Sequence, residues 1–259
     1  MNDNYTNCRR NFLRKIGITT VAMTGLPAMM IQANVSTTEK KDDTGNGMVF
    51  LFQGDSITDG NRGRNTDPNH IMGHGYAFSI ASRLGADYPE KKLVFYNRGI
   101  SGNKVSDLAA RWQKDTLDLK PNVLSILIGV NDMGTRINNG GANPDQYEET
   151  YGKLLDQTKT LFPDILFVLC QPFIMPVGNM KDKWELEQAE IIKDQAIVAK
   201  LAKTYNAVHV EFQQVMEKAC RKAPADYWMW DGCHPTVPGH ELLAREWIQM
   251  VSKRLAFLK

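Results

Sequence analysis

Val123-Leu124-Ser125-Ile126-Leu127-Ile128-Gly129-Val130-Asn131-Asp132 is the stretch that decides the fold. Apart from Ser125 its first six residues are aliphatic, and such a run suits a strand covered on both faces, as in parallel sheets. It stops at a glycine and two polar residues. The same pattern recurs along the chain. Val49-Phe50-Leu51-Phe52 leads into Gln53-Gly54-Asp55-Ser56-Ile57, and Leu93-Val94-Phe95-Tyr96 leads into Asn97-Arg98-Gly99-Ile100-Ser101-Gly102-Asn103. Ile165-Leu166-Phe167-Val168-Leu169 runs into Cys170 and a loop with Pro and Gly, Gln171 to Asn179, and Ala207-Val208-His209-Val210 is a fifth, shorter run.

Between these runs the apolar residues change to helical spacing. Tyr76, Ala77, Ile80, Ala81 and Leu84 form one such face, and Val105, Leu108, Ala109 and Trp112 another. Pro144 to Phe162 carries Tyr147, Tyr151, Leu154, Leu155, Leu161 and Phe162 along one stripe. Further helices are expected from about Trp184 to Tyr205, over Glu211 to Lys222, and over Pro238 to Phe257. Strands alternating with helices predict one α/β domain, a three-layer α/β/α sandwich around a five-stranded parallel sheet. Such sheets place their chemistry at the carboxyl ends of the strands, where the unusual polar residues of this chain fall.

A chain of 259 residues has room for one sizeable α/β domain. Its formal charge of +2 offers no electrostatic basis for nucleic acid or an anionic membrane as partner. Residues 1–33 hold Arg9, Arg10, Arg14 and Lys15 against Asp3, so the body, with 27 basic and 28 acidic residues, is close to neutral. The basic block Arg9 to Lys15 precedes a mildly apolar run to Ile31, broken by Gly17, Gly25 and Pro27. That run is shorter than the roughly 20 residues needed to span a bilayer. The segment resembles a twin-arginine export signal, which predicts cleavage after Ala33 and a periplasmic or extracellular protein. Residues 34–47 read as a solvated linker, and 48–259 as the domain. Without the leader three cysteines remain, Cys170, Cys220 and Cys233, an odd number that excludes a disulfide framework but leaves a Cys220–Cys233 bridge open. His70 and His74 are four apart, but Pro68 and Gly73 oppose a helical metal pair. No metal and no cofactor are expected.

Ser56 is the candidate nucleophile. A Gly-Asp-Ser turn alone is better explained by Asp and Ser capping a helix. A nucleophilic serine needs a base, and the base needs an acceptor that fixes its tautomer. Asp231-Gly232-Cys233-His234-Pro235 supplies both, with Asp231 and His234 three residues apart. Donors for a developing oxyanion are the Ser56 N–H, the Gly102 N–H and the Asn131 side-chain amide. No G-x-S-x-G surrounds any serine, so the α/β-hydrolase nucleophile elbow is absent.

Gly54-Asp55-Ser56-Ile57, Gly102-Asn103, Gly129-Val130-Asn131-Asp132 and Asp231-x-x-His234-Pro235 resemble, in this order, the four sequence blocks of the SGNH (GDSL) hydrolases. The resemblance spans residues 48 to about 257. It implies a flavodoxin-like sheet of order 2-1-3-4-5, with Ser56 as nucleophile, His234 as base and Asp231 as its orienting acid. It also implies Ser56, Gly102 and Asn131 as the oxyanion hole. Asn97 to Asn103, Asp107 to Trp112, Ser125 to Asp132 and Trp230 before Asp231 are similar to the acetylxylan-esterase branch. That likeness implies a serine esterase removing O-acetyl groups from an acetylated carbohydrate, with a homo-oligomer left open. Trp228, Trp230 and Trp112 then become candidates for stacking on sugar rings, and Asp55 a candidate substrate contact or a support for the serine loop. A thioesterase or lysophospholipase on the same scaffold and an inactive carbohydrate-binding protein are the competing readings.

Overall fold

The computed structural model describes residues 45–139 and 143–258. Five strands, β1 (Val49–Gly54), β2 (Val94–Asn97), β3 (Val123–Leu127), β4 (Leu166–Cys170) and β5 (Val208–Val210), form one parallel sheet of order β2-β1-β3-β4-β5. Gly54 pairs with Leu127, and Leu127 with Cys170, so β1, β3 and β4 end level. The segments leaving these three strands all emerge at one edge of the sheet. The order reverses about β1, which makes that edge a topological switch point.

Alternation along each strand divides the core in two. Phe50 and Phe52 face α2 (Tyr76–Asp87) and α9 (Val237–Ser252), packing with Tyr76, Ile80 and Trp247. Leu51, Leu124 and Ile126 face α3 (Val105–Asp115), α5 (Pro144–Leu161) and α6 (Trp184–Thr204), packing with Leu108, Trp112, Tyr151 and Val198. Each fully buried side chain of this size contributes about 1.5–3 kcal/mol relative to exposure. Ser125, the one polar residue in β3, accepts a 2.9 Å hydrogen bond from Trp247 Nε1. A buried hydroxyl and a buried indole N–H therefore satisfy each other.

The serine turn is a four-residue helix, α1 (Ser56–Asp59), and a further short helix, α8 (Ala225–Trp228), precedes the Asp231 loop. An unexpected helix, α4 (Val130–Asn139), follows β3. Its buried residues include Val130, Asp132, Met133 and Arg136, and the two buried charged side chains spoil the apolar periodicity. Arg136 is held there by Asp194 at 2.8 Å and Glu190 at 3.3 Å, both on α6. Two helices are shorter than their periodicity suggests: α7 (Phe212–Ala219), and α9, followed by a 3₁₀ turn at Ala256–Leu258. The expected leader, 1–33, and most of the linker, 34–47, lie outside the described residues. Among the described residues no helix is long and apolar enough to cross a membrane. Cys170, Cys220 and Cys233 are free thiols.

Candidate active site

β1 delivers Ser56 to the sheet edge. Asp55 caps the short helix that comes next, its Oδ1 accepting the Ile57 N–H at 3.0 Å. Ile57, Thr58 and Asp59 are buried beneath, leaving Ser56 half-exposed. Ser56 Oγ lies 2.7 Å from His234 Nε2, and His234 Nδ1 lies 2.7 Å from Asp231 Oδ2. With the Nδ1–H donated to Asp231, the Nε2 lone pair faces the serine hydroxyl.

Asp231 also builds the loop that carries the histidine. Its Oδ1 accepts the N–H of Cys233 at 2.9 Å and of His234 at 2.7 Å. Burial pushes its carboxyl upward, but the His234 N–H, the His234 ring and the Cys233 N–H outweigh that and hold it below the usual carboxylate range. From outside, the loop after β4 clamps the same segment: Met175 N–H donates to Gly232 O at 2.8 Å and Asn179 N–H to Asp231 O at 3.0 Å.

The loop after β2 forms the opposite wall. The Asn97 amide donates to the carbonyls of Thr58 at 2.7 Å, Asp59 at 3.2 Å and Met72 at 2.9 Å, while its oxygen accepts the Gly99 N–H at 2.9 Å. Ile100 N–H donates to Gly54 O at 3.1 Å, which draws this loop against the serine turn. Gly102 comes next at φ 80°, with open space where a side chain would stand. Asn131 Nδ2 donates to Asn103 O at 3.1 Å, so the segment after β3 is joined to the loop that carries Gly102. Asn97 was not among the sequence candidates. Its signals were its position at the end of an apolar run and its place in the stretch Asn97 to Asn103.

The four tryptophan and aspartate candidates separate sharply. Trp230 is 66% exposed, with its ring centroid 6.1 Å from that of His234. Trp228 is half-buried, donates to Ala223 O and packs edge-on with Tyr227. Trp112 is a core residue, 2% exposed and donating to Thr158 Oγ1. Nor is Asp55 a surface for substrate: it is 1% exposed, and its Oδ2 has no partner among the described residues. Burial raises it to about 7 despite the Ile57 N–H and the nearby His234. Its visible role is the cap on α1. A separate cleft of about 350 Å³, bounded by Lys104, Asp132, Arg136 and Tyr147, contains none of Ser56, Asp231 and His234. Among the described residues no group of three His, Cys, Asp or Glu side chains is arranged to hold a metal ion.

Residues 52–242 match the GDSL-like lipase/acylhydrolase family. An acetylxylan esterase of Geobacillus stearothermophilus is 33% identical over 214 residues, 80% of this chain and 95% of that protein. The solved structure of Axe2, an acetylxylan esterase from the same organism, superposes with a TM-score of 0.70 at 32% identity, covering 81% of this chain and 96% of that one. A GDSL-like protein from Parabacteroides merdae superposes with a TM-score of 0.76 at 38% identity, covering 83% and 97%. With the sheet order, the serine–histidine–aspartate geometry and these likenesses together, the chain belongs to the GDSL-like lipase/acylhydrolase family and is a carboxylic ester hydrolase.

Proposed function

We propose that this enzyme removes O-acetyl groups from an acetylated carbohydrate through an acyl-serine intermediate. The observation that carries the chemistry is the unbroken relay Ser56 Oγ, His234, Asp231, each contact 2.7 Å. As Ser56 Oγ attacks the acetyl carbon, His234 Nε2 takes the hydroxyl proton and Asp231 stabilises the imidazolium. The carbonyl oxygen becomes an oxyanion, received by the N–H groups of Ser56 and Gly102 and the Asn131 amide. His234 then gives its proton to the departing sugar oxygen, leaving acetyl-Ser56. Water attacks that ester with the same base, releasing acetate and restoring the serine.

Two observations support the substrate class. Two of the relatives matched over nearly their whole length are described as acetylxylan esterases, and Trp230 presents an exposed indole beside the proposed base, suited to stacking on a sugar ring. The basic block Arg9 to Lys15 supports export, which would bring the enzyme to extracytoplasmic polysaccharide. Acetate release from acetylated xylan, acetylated pectin and peracetylated sugars, measured side by side, tests the reading. Aryl acetate and aryl octanoate provide the control. A preference for octanoate would replace it with a thioesterase or lysophospholipase activity, and no turnover at all with a binding protein.

A further inference from the structure

Four guanidinium groups surround the loop 97–103, and among the described residues only two are neutralised by carboxylates. Arg64 pairs with Asp59 through both nitrogens, at 3.0 and 2.6 Å. Arg111 pairs with Asp115 at 3.1 Å and is further held by Gln53, Asn103 and the Arg98 carbonyl. The Arg62 side chain donates from Nε to Gly99 O at 2.9 Å. The Arg98 Nε is buried without a partner among the described residues, and its Cζ lies 5.6 Å from the Tyr96 ring centroid.

Asp59 makes no side-chain ion pair with Arg62, although its charge lies nearby. Its two oxygens already receive the N–H groups of Arg62 and Ser101 and both Arg64 nitrogens. Among the described residues no carboxylate pairs with Arg62 or Arg98, and both are half-buried. Burial, then the charges of Arg64 and Arg98, lower Arg62 to about 10, although Asp59 and Asp115 act against this. Crowded cations that no carboxylate pairs directly are poised for an external anion, and a guanidinium fork matches a carboxylate in both charge and geometry.

We propose that Arg62 and Arg98 form a carboxylate-binding subsite on the oxyanion-loop side of the active site, taking an acidic sugar of the substrate. This rests on the acetylated-carbohydrate reading above. The Arg62 contact is to Gly99, three residues before Gly102, and the same loop is bonded to Gly54 through Ile100. A sugar chain whose acetyl group lies at Ser56 can therefore run along this loop, with a uronate carboxylate meeting the two guanidinium groups. The Arg62-Gly63-Arg64 segment thereby acquires a specificity role separate from the chemistry.

The test compares acetate release from a tri-O-acetylated methyl glucuronide and from its neutral uronamide, with phenyl acetate as reference. At low salt the acid is expected to have the higher kcat/KM by about tenfold, as one charge-assisted contact allows. Added salt should shrink the preference. Arg62→Gln and Arg98→Gln should each remove most of it, and Arg62→Lys should keep part. Thermal melts check that the variants fold, while the wild-type comparison needs no variant. Equal kcat/KM for acid and amide in the wild type overturns the subsite and leaves the acetylesterase reading standing, as does a preference that survives both Gln variants. If neither sugar is deacetylated while phenyl acetate is, the carbohydrate reading fails and the subsite with it.

Discussion

Gly178 stands directly against Asp231: a Cβ added to Gly178 would come within 2.5 Å of the Asp231 Cα. Gly178 is also at φ 53°, in the left-handed region. The loop after β4 thus reaches the backbone of the residue that holds His234. Gly178→Ala should push the Asp231 loop outward. We expect kcat to fall by roughly ten- to a hundredfold, with KM changed far less, because a small misplacement of the base costs rate first. Steady-state kinetics alongside a thermal melt check this. A variant that melts earlier but keeps its kcat would show that the contact serves stability alone.

Removing the proposed nucleophile or the proposed orienting acid separates chemistry from folding. Ser56→Ala should lower kcat by at least about a thousandfold, and Asp231→Asn by about a thousand- to ten-thousandfold, because the amide favours the wrong histidine tautomer. Both variants should fold, since an Asn at 231 keeps an oxygen for the Cys233 and His234 N–H groups. Unchanged esterase activity in Ser56→Ala would refute the whole site assignment.

On the proposed mechanism Asn131 contributes through the oxyanion. Its side chain is joined to the Asn103 carbonyl, and truncation also loosens that tie. Asn131→Ala should lower kcat by about a hundred- to a thousandfold with a small change in KM. A loss confined to KM would place Asn131 in ground-state binding.

The buried carboxyls give opposite pH dependences. Asp55 and Asp132 are each raised to about 7, mainly by burial. Their unfolded-state values lie near about 4, so the folded state holds protons that the unfolded chain has lost, and stability falls as pH rises from about 4 to about 7. Asp55→Asn removes one such group. Its melting temperature should exceed the wild type's by several degrees at pH values above about 7, and the gain should vanish below about 4. Asp59 and Asp231 are lowered in the fold, so their contribution is present above about 4 and is lost as pH falls through their folded values. Melts across this range test both signs.

How much was legible depended on the range over which each feature is determined. β3 could be read because a strand buried on both faces leaves a continuous aliphatic run. Asp231 and His234 could be paired because their bond closes within three residues. Arg136 could not, because its burial depends on Asp194, 58 positions away, and without that partner α4 looks too polar to pack. Aromatic residues showed the same limit. Both Trp112 and Trp230 were candidates for sugar stacking, yet the helical spacing of Trp112 with Val105 and Leu108 already pointed to the core that it occupies, whereas the exposure of Trp230 had no local signal. The uncompensated Arg62 and Arg98 were equally invisible, since which arginine finds a carboxylate depends on the folding of loop 97–103.

Asn97 has a consequence for how the molecule opens. One side chain bonds to the backbone at Thr58, Asp59, Met72 and Gly99, which ties the helix that begins at Ser56 to the loop bearing Gly102. Neither can fray alone without stranding buried polar groups, so the two should form a single cooperative opening unit. Amide hydrogens of Asp59, Gly99 and Ile100 should then exchange with one common protection factor. The enzyme would lose the proposed nucleophile and the proposed oxyanion site in the same rare event.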